Sequence, residues 1–320
     1  MRRHLLTRLF LFVPSLVLAS IAIFGAMHVL PGDVALVILG NADPGSSSNL
    51  QLLESYREAL GLHDPLPVQY GRWIWSLVNG EFGGTSIIDH EPLRDIIARR
   101  FPATLELALI AFVTAWVVSV PLGVVAALRR DTWLDYVVRG VTIAGHAVPI
   151  FWAALLVLLG LTAVFHWTPP VVYSSFAANP AANLQKVIWP ALLLAWGFSS
   201  YLARVTRSSM LEVLAQDYVR TARSKGLSVR AVSLTHCLRN ALIPVVTVGA
   251  LQIGTLLSGS IILETIFGVP GVGQGIISAA ISRDYPVIQS LAMFLVLLML
   301  ILNLGVDLLY GVIDPRLAQQ

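Results

Sequence analysis

The sequence predicts an all-α membrane protein, a polytopic bundle of about six transmembrane helices with a folded external segment after the first helix and a cytoplasmic helix-turn-helix coupling loop. Three observations predict it. Hydrophobic residues make up 56% of the 320 and charged residues 12%, with a mean hydropathy of +0.77. So oily a composition cannot be hidden inside a soluble domain of ordinary surface-to-volume ratio. Apolar stretches near the roughly 20 residues needed to cross a bilayer recur along the chain. Lysine and arginine gather in alternate connections, the pattern that orients helices in a membrane.

The first stretch, Leu9 to Leu30, has 22 residues behind a basic start, "MRRHLLTR". A signal-peptide core has roughly 7 to 15, so this one reads as an uncleaved helix. The segment from Pro31 to Phe101 is rich in turn formers. After a "DPGSSSN" breaker it has a helical run from Leu50 to Leu60, then the paired prolines of "GLHDPLPVQY" and a helix around Arg72 to Val78. The further spans are Ala103 to Leu128, Val137 to Phe165, Val187 to Leu202, Leu242 to Leu263 and Val287 to Val306. The fourth is short and carries Trp196 and Gly197. No internal repeat is visible.

Orientation follows from the cations. Arg2, Arg3 and Arg8 precede the first span, and Arg129, Arg130 and Arg139 follow the second. Arg204, Arg207, Arg220, Arg223, Lys225, Arg230 and Arg239 lie between the fourth and fifth. The alternate short connections hold only Lys186 and Arg283. Both termini are therefore expected in the cytoplasm, and the long first connection outside, where its five arginines escape the charge rule. The expected parts are 1–30, the N-terminus and first helix; 31–101, the external segment; and 102–320, the transmembrane domain, with the coupling loop at about 204–240.

The net charge of +3 thus points to orientation in lipid, with no nucleic-acid partner. A single cysteine, Cys237, allows neither an internal disulfide nor a cysteine-built metal site. No phosphate-cradling Gly-x-x-x-x-Gly-Lys-Ser/Thr occurs. "HEPLR", His90 to Arg94, lacks the second histidine of a zinc helix, and Pro92 breaks the helix it would need. "GVPGVGQG", Gly268 to Gly275, has the wrong spacing for a dinucleotide loop and follows a span where a strand is required.

Polar residues in or at the ends of spans are candidates for the transport pathway or for contacts between helices. These are Glu106, His146, Glu264, Asn303 and Asp307. Glu106, Glu264 and Asp307 fall near span ends where water reaches, which favours capping or interhelical pairing. His146 is deeper, and a neutral imidazole bonded to a backbone carbonyl is the favoured reading.

Between Arg204 and Asn240 the pattern is helix, glycine turn, helix. Leu211, Leu214, Ala215, Tyr218 and Ala222 fall on one stripe, with Arg220 and Arg223 on another face. Gly226 has the placement of a C-terminal cap, and Ser228 can cap the helix that follows. Composition alone leaves open a merely charged loop that obeys the positive-inside rule.

"RTARSKG", with Ala222 four residues before Gly226, and the later "LIP" at Leu242 to Pro244 resemble the EAA loop of ABC-importer permeases in its dipeptide and oligopeptide form. Arg220 and Thr221 stand where the general consensus has Glu-Ala, and the interval from Gly226 to Pro244 is longer than that consensus. Both departures resemble the peptide branch. "VLPGD", "LGLHDPLPVQY", "GEFGGTS", "RRFPATLEL", "LETIFGVPGVGQG", "RDYPVIQ" and "NLGVDLLYGVIDPRL" extend the resemblance, in order, over nearly the whole chain.

The resemblance implies a bacterial inner-membrane subunit that performs no chemistry. It would pair with a second related permease and two cytoplasmic ATPases, fed by an external solute-binding protein, to import di- or oligopeptides. ATP and magnesium would belong to the ATPase subunits and no cofactor to this chain. Tyr218, Arg220, Thr221, Ala222, Lys225 and Gly226 would form the ATPase-coupling surface, and the external segment with "VPGVG" would face the binding protein. Similar permeases carry nickel, glutathione or oligosaccharides, so the cargo stays open. A partner-free secondary carrier would need midplane charges or paired broken helices, neither of which the sequence displays. A membrane scaffold or sensor would not need the external motifs.

Overall fold

The computed structural model describes residues 2–29, 54, 57, 62–228 and 231–313. They are helical almost throughout, and the one extended pairing among them is an isolated bridge between Thr85 and Pro92. The chain divides into two compact units.

The first unit holds residues up to Thr104 and Pro270–Leu308. Helix α1, Arg2–Val29, is mostly apolar from Leu9 onward, and Phe10 and Leu18 are exposed, as suits a helix whose solvent is lipid. Helix α2 spans Leu66–Val78 and so starts earlier than expected. Pro67 lies in its first turn, where a missing N–H breaks no helical bond and a fixed φ favours initiation. Most of the run from Leu50 to Leu60 lies outside the described residues, as does all of "VLPGD" after Val29.

Helix α3, Leu93–Leu128, contributes its first turns to this unit. Leu93, Ile96 and Ile97 repeat at helical spacing, and they bury against α10, Val272–Ser282, and α11, Tyr285–Ile313. Val272, Ala279, Ile288 and Leu291 complete the cluster, and Phe101 meets Phe294 edge-on at 5.2 Å. Each buried leucine or isoleucine contributes about 1.5–3 kcal/mol relative to exposure in water.

The second unit holds Leu105–Val269. Within it, Leu107, Ala111, Ala115 and Ser119 of α3 recur every fourth residue and are all fully buried. Leu109, Val113 and Val117 on the other side are 53%, 57% and 66% exposed. Small residues on the inner face let helices approach closely, as membrane bundles require. At Gly123 a Cβ would lie 2.7 Å from the Ala203 carbonyl oxygen, so no larger residue fits that crossing.

The expected third span, Val137 to Phe165, is two helices: α4, Trp133–Ala147, and α5, Ile150–Phe165, bent by 108°. Pro149 causes the break. It has no N–H for the helical ladder, and it holds Val148 extended at ψ 124°. The fourth span is the middle of a much longer helix, α6, Pro180–Leu214. Asn179 starts α6 by accepting a 3.1 Å bond from the Ala182 N–H, with Pro180 following. One face of it is buried at intervals from Asn183 to Met210, so packing against protein substitutes for an oily exterior there.

The rest of the unit comprises α7, Asp217–Ser224, a π-helical turn, Val232–Cys237, α8, Leu238–Leu251, and α9, Ile253–Phe267. The expected fifth span, Leu242 to Leu263, crosses α8 and α9, which part at Gln252. The helical path breaks again after α9, where Gly268 is left-handed at φ 63°. By length and composition, four helices among the described residues can cross a membrane alone, or six if each bent pair is one span. The fold is an all-α polytopic membrane bundle.

Candidate functional site

The turn after α6 is built on apolar anchors. Val219, Val232, Cys237 and Ala241 are buried with Met210, Val124 and Ala127, and Leu211, Leu214 and Ala222 pack partly against them. Tyr218 does not join this stripe, in contrast to the sequence expectation; it is 44% exposed, and Val219 takes the inward position. The helix is interrupted at Ala215–Gln216, which resets the helical phase between Leu214 and Val219. Arg204 and Arg207, expected in the loop, lie in the last turns of α6.

Two expected caps are present. Gly226 has φ 82°, a left-handed conformation that glycine adopts at little cost, and it ends α7. Ser228 Oγ accepts a 3.3 Å bond from the Ala231 N–H. Asn240 Nδ2 donates to Tyr218 Oη at 3.0 Å and ties the two limbs of the turn together. Arg220, Thr221, Ser224, Lys225, Gly226 and Leu227 are left exposed on one short corner. Arg220 is paired only loosely with Asp217, at 3.6 Å, and both side chains are mostly in solvent.

Glu106, His146 and Glu264 all belong to the second unit and have three different surroundings. The Glu106 carboxylate accepts bonds from Tyr173 Oη at 2.8 Å and Asn183 Nδ2 at 2.9 Å, which is interhelical pairing. Burial, and then the bond to Glu106, pushes the Tyr173 phenol well above its ordinary range. Asn183 also holds the Ser174 carbonyl, and Lys186 Nζ donates to the Pro170 carbonyl, so the connection before α6 is pinned from several sides. Glu264 is fully buried, contrary to the expectation of water access, because Leu263 and Phe267 carry the same end of α9 inward.

His146 also differs from expectation. It is exposed in the last turn of α4, and among the described residues no carbonyl accepts from its imidazole. Its ring stacks 6.3 Å from that of Tyr201. The two line a cavity of about 240 Å³ with Gln252, Thr255, Phe198 and Leu194. The break at Pro149 frees His146 from the helix interior, and the break at Gln252 turns that side chain to the same space. Asn303 is half-buried in α11, in the other unit; the Asp307 side chain lies outside the described residues.

The sequence reading passed over an ion pair. Asp135, fully buried, accepts from Arg207 Nε and Nη2 at 2.7 Å each and from the Asp131 N–H at 3.1 Å. The partners are 72 positions apart, so no local pattern announces them.

Among known families, residues 119–319 match the binding-protein-dependent transport system inner membrane component, and residues 1–108 match the N-terminal part of such a membrane component. A protein of Brucella suis biovar 1 (strain 1330), named a peptide transport system permease protein, is 41% identical over 304 residues, 95% of each chain. The dipeptide transport system permease protein of Escherichia coli (strain K12) is 37% identical over 342 aligned positions, 99% of each chain. The glutathione transport system permease protein of Salmonella paratyphi A (strain ATCC 9150 / SARB42) is 37% identical over 317, again 99% of each.

Proposed function

Because the chain belongs to the family of binding-protein-dependent transport system inner membrane components, we propose that it is the membrane-spanning permease subunit of an ATP-driven importer of di- or oligopeptides. The observation that carries this reading is similarity to a peptide and a dipeptide permease over essentially the full length of both chains. The chain performs no catalysis of its own. It forms half of the translocation pathway with a second, related permease, and two cytoplasmic ATPases supply the energy with ATP and magnesium. An external solute-binding protein delivers the cargo.

The exposed corner from Tyr218 to Leu227 is the ATPase-docking surface. Its geometry supports that role: a short helix ended by Gly226 and fixed at its back by Val219 presents a rigid, mostly polar face. The segment 31–101 is the external part, 1–30 holds the cytoplasmic start and first span, and 102–320 is the transmembrane domain. Both termini lie on the cytoplasmic side of the bacterial inner membrane. Seven cations between the fourth and fifth apolar stretches support this orientation.

Inside the second unit, the cavity bordered by His146, Tyr201, Gln252 and Thr255 forms part of the pathway wall. Polar side chains interleaved with Phe198 and Leu194 suit a cargo of amide groups and mixed side chains. Glutathione is a second reading, favoured by the equal identity to a permease named for it, and it is itself a peptide-like cargo.

The test is purification of the tagged chain from its own membranes, identification of the co-purifying subunits, and uptake of labelled dipeptides, oligopeptides and glutathione in a deletion strain. Recovery of a second permease and ATPases, with loss of peptide uptake in the deletion, is expected. Recovery of the chain alone, with uptake intact in the deletion, overturns the reading. Single cysteines at Ala178 and Ser278 should react with an impermeant thiol reagent from outside, and one at Ser224 should not; outside labelling at position 224 overturns the orientation.

A further inference from the structure

Arg130, Arg139, Arg204 and Arg207 line one cavity of about 530 Å³ between α4 and α6. Two of these charges are answered within the chain. Asp135 holds Arg207 in a two-pronged pair, and Asp131 lies 3.1 Å from Arg130. Arg139 and Arg204 make no ion pair within 4 Å among the described residues, and Asp135, already held by Arg207, acts on Arg139 only from further off. Each instead has an aromatic neighbour: the Arg139 guanidinium carbon is 5.7 Å from the Tyr136 ring centre, and that of Arg204 is 5.9 Å from Tyr201. A guanidinium over a ring keeps its N–H edge available for an oxygen acceptor.

Ile143 and Leu211 supply an apolar part of the wall beside these arginines, and Thr142 and Asp131 a polar part. Ile143, one turn beyond Arg139 on α4, lines the cavity and is 56% exposed; Trp133, Tyr136 and Val137 are exposed on the same helix. A small soluble anion needs the cations alone, whereas an acidic lipid uses both features, with its phosphodiester among guanidinium groups and its chains along an apolar helix. The orientation proposed above puts residues 129–139 at the cytoplasmic headgroup level, where tryptophan and tyrosine gather.

We propose that this cavity binds the headgroup of an anionic phospholipid, with Arg139 and Arg204 as the phosphate-binding residues. The Asp135–Arg207 pair is its frame: it joins α4 to α6 and fixes the separation of the two helices that carry the free cations. The inference rests on the chain being a membrane permease in the stated orientation. Its test reads lipid mass and is independent of peptide uptake.

The chain with its co-purifying subunits is placed in nanodiscs of equal parts phosphatidylglycerol and phosphatidylcholine, released into mild detergent, and weighed by native mass spectrometry. Retained phosphatidylglycerol is expected, with phosphatidylcholine absent. Arg139→Gln with Arg204→Gln should lower retention by roughly an order of magnitude, since each interfacial cation contributes to anionic-lipid binding. Arg129→Gln, outside the cavity, should not. Should the double glutamine variant fail to assemble, Arg139→Lys with Arg204→Lys keeps the charge and must retain the lipid, though less of it. Millimolar glycerol 3-phosphate should leave the bound lipid in place. Equal retention by the glutamine variant or loss from the Arg129 control overturns the proposal, as does equal retention of phosphatidylcholine. Displacement by glycerol 3-phosphate marks a soluble-anion site, and absence of lipid from the intact complex means a partner's acidic group fills the cavity; both also overturn it.

Discussion

The loop from Gly80 to Pro92 and the turn after α7 are similar in composition, with glycine, serine and charged residues, yet they are fixed in opposite ways. The first is closed by buried polar bonds. Asp284, 4% exposed, accepts from Ser86 Oγ at 2.5 Å and from the Ile87 and Val287 N–H groups at 3.4 Å. Ser86 Oγ in turn accepts from the Ile88 and Asp89 N–H groups. The second is held from behind by Val219, Val232 and Cys237, and its polar groups point away. A loop whose polar groups are satisfied within its own unit is finished structure. One anchored by carbon, with Arg220 and Lys225 turned to the outside, keeps a charged face exposed.

The contrast is most severely broken at Asp284. Asp284→Ala strips the acceptor from three donors in a buried place and should lower stability by about 3 kcal/mol. The expected result is a marked fall in the thermal midpoint of the detergent-solubilised protein; an unchanged midpoint would mean that the loop is held by something else. In the turn after α7, Val219→Ala removes the apolar anchor at a cost of about 2 kcal/mol. Limited proteolysis should then cut between Asp217 and Leu227, and a turn that stayed resistant would show that the anchor is elsewhere.

Gly226→Asp should cost less. No atom lies within 4 Å of a Cβ added there, so the penalty comes from the left-handed backbone, on the order of 1 kcal/mol. The helix end adds a few tenths to about 1 more for a carboxylate. Normal membrane level with lost ATPase recovery and lost uptake is expected; normal uptake would reduce this corner to a loop that only orients the protein. The smallest effect is expected from Arg220→Gln, which removes only an exposed, distant pair with Asp217 and should change stability by less than about 0.5 kcal/mol. A several-fold fall in ATPase recovery at unchanged melting would place docking at this face.

Much of this was legible in the chain. Helix α1, the inner-facing spacing of α3, the glycine cap at position 226 and the serine cap at 228 follow from local rules that act over a few residues. Pro149 was also legible: it stands in plain sight within the third apolar stretch, and the hydropathy of its surroundings concealed the 108° bend it causes. The exposed place of Tyr218 was hidden for a different reason. The interruption at Ala215–Gln216 contains neither glycine nor proline, so a stripe drawn through it keeps the wrong phase. The pairs Asp135–Arg207 and Glu106–Asn183 join residues 72 and 77 positions apart, and only the packing of helices reveals them. The polar wall at His146 needs two breaks, at Pro149 and Gln252, to bring its members to one space.

The π-helical turn at Val232–Cys237 sets the register of the helix that follows it. The Leu238 N–H reaches back five residues to the Ser233 carbonyl, so one extra residue is wound into the coil. In an α-helix a single residue accounts for about 100° of rotation. Side chains beyond the turn are therefore set in a shifted register, and in that register Ala241 and Val245 of α8 are the ones buried. The helix keeps this register as far as Gln252, where α8 gives way to α9.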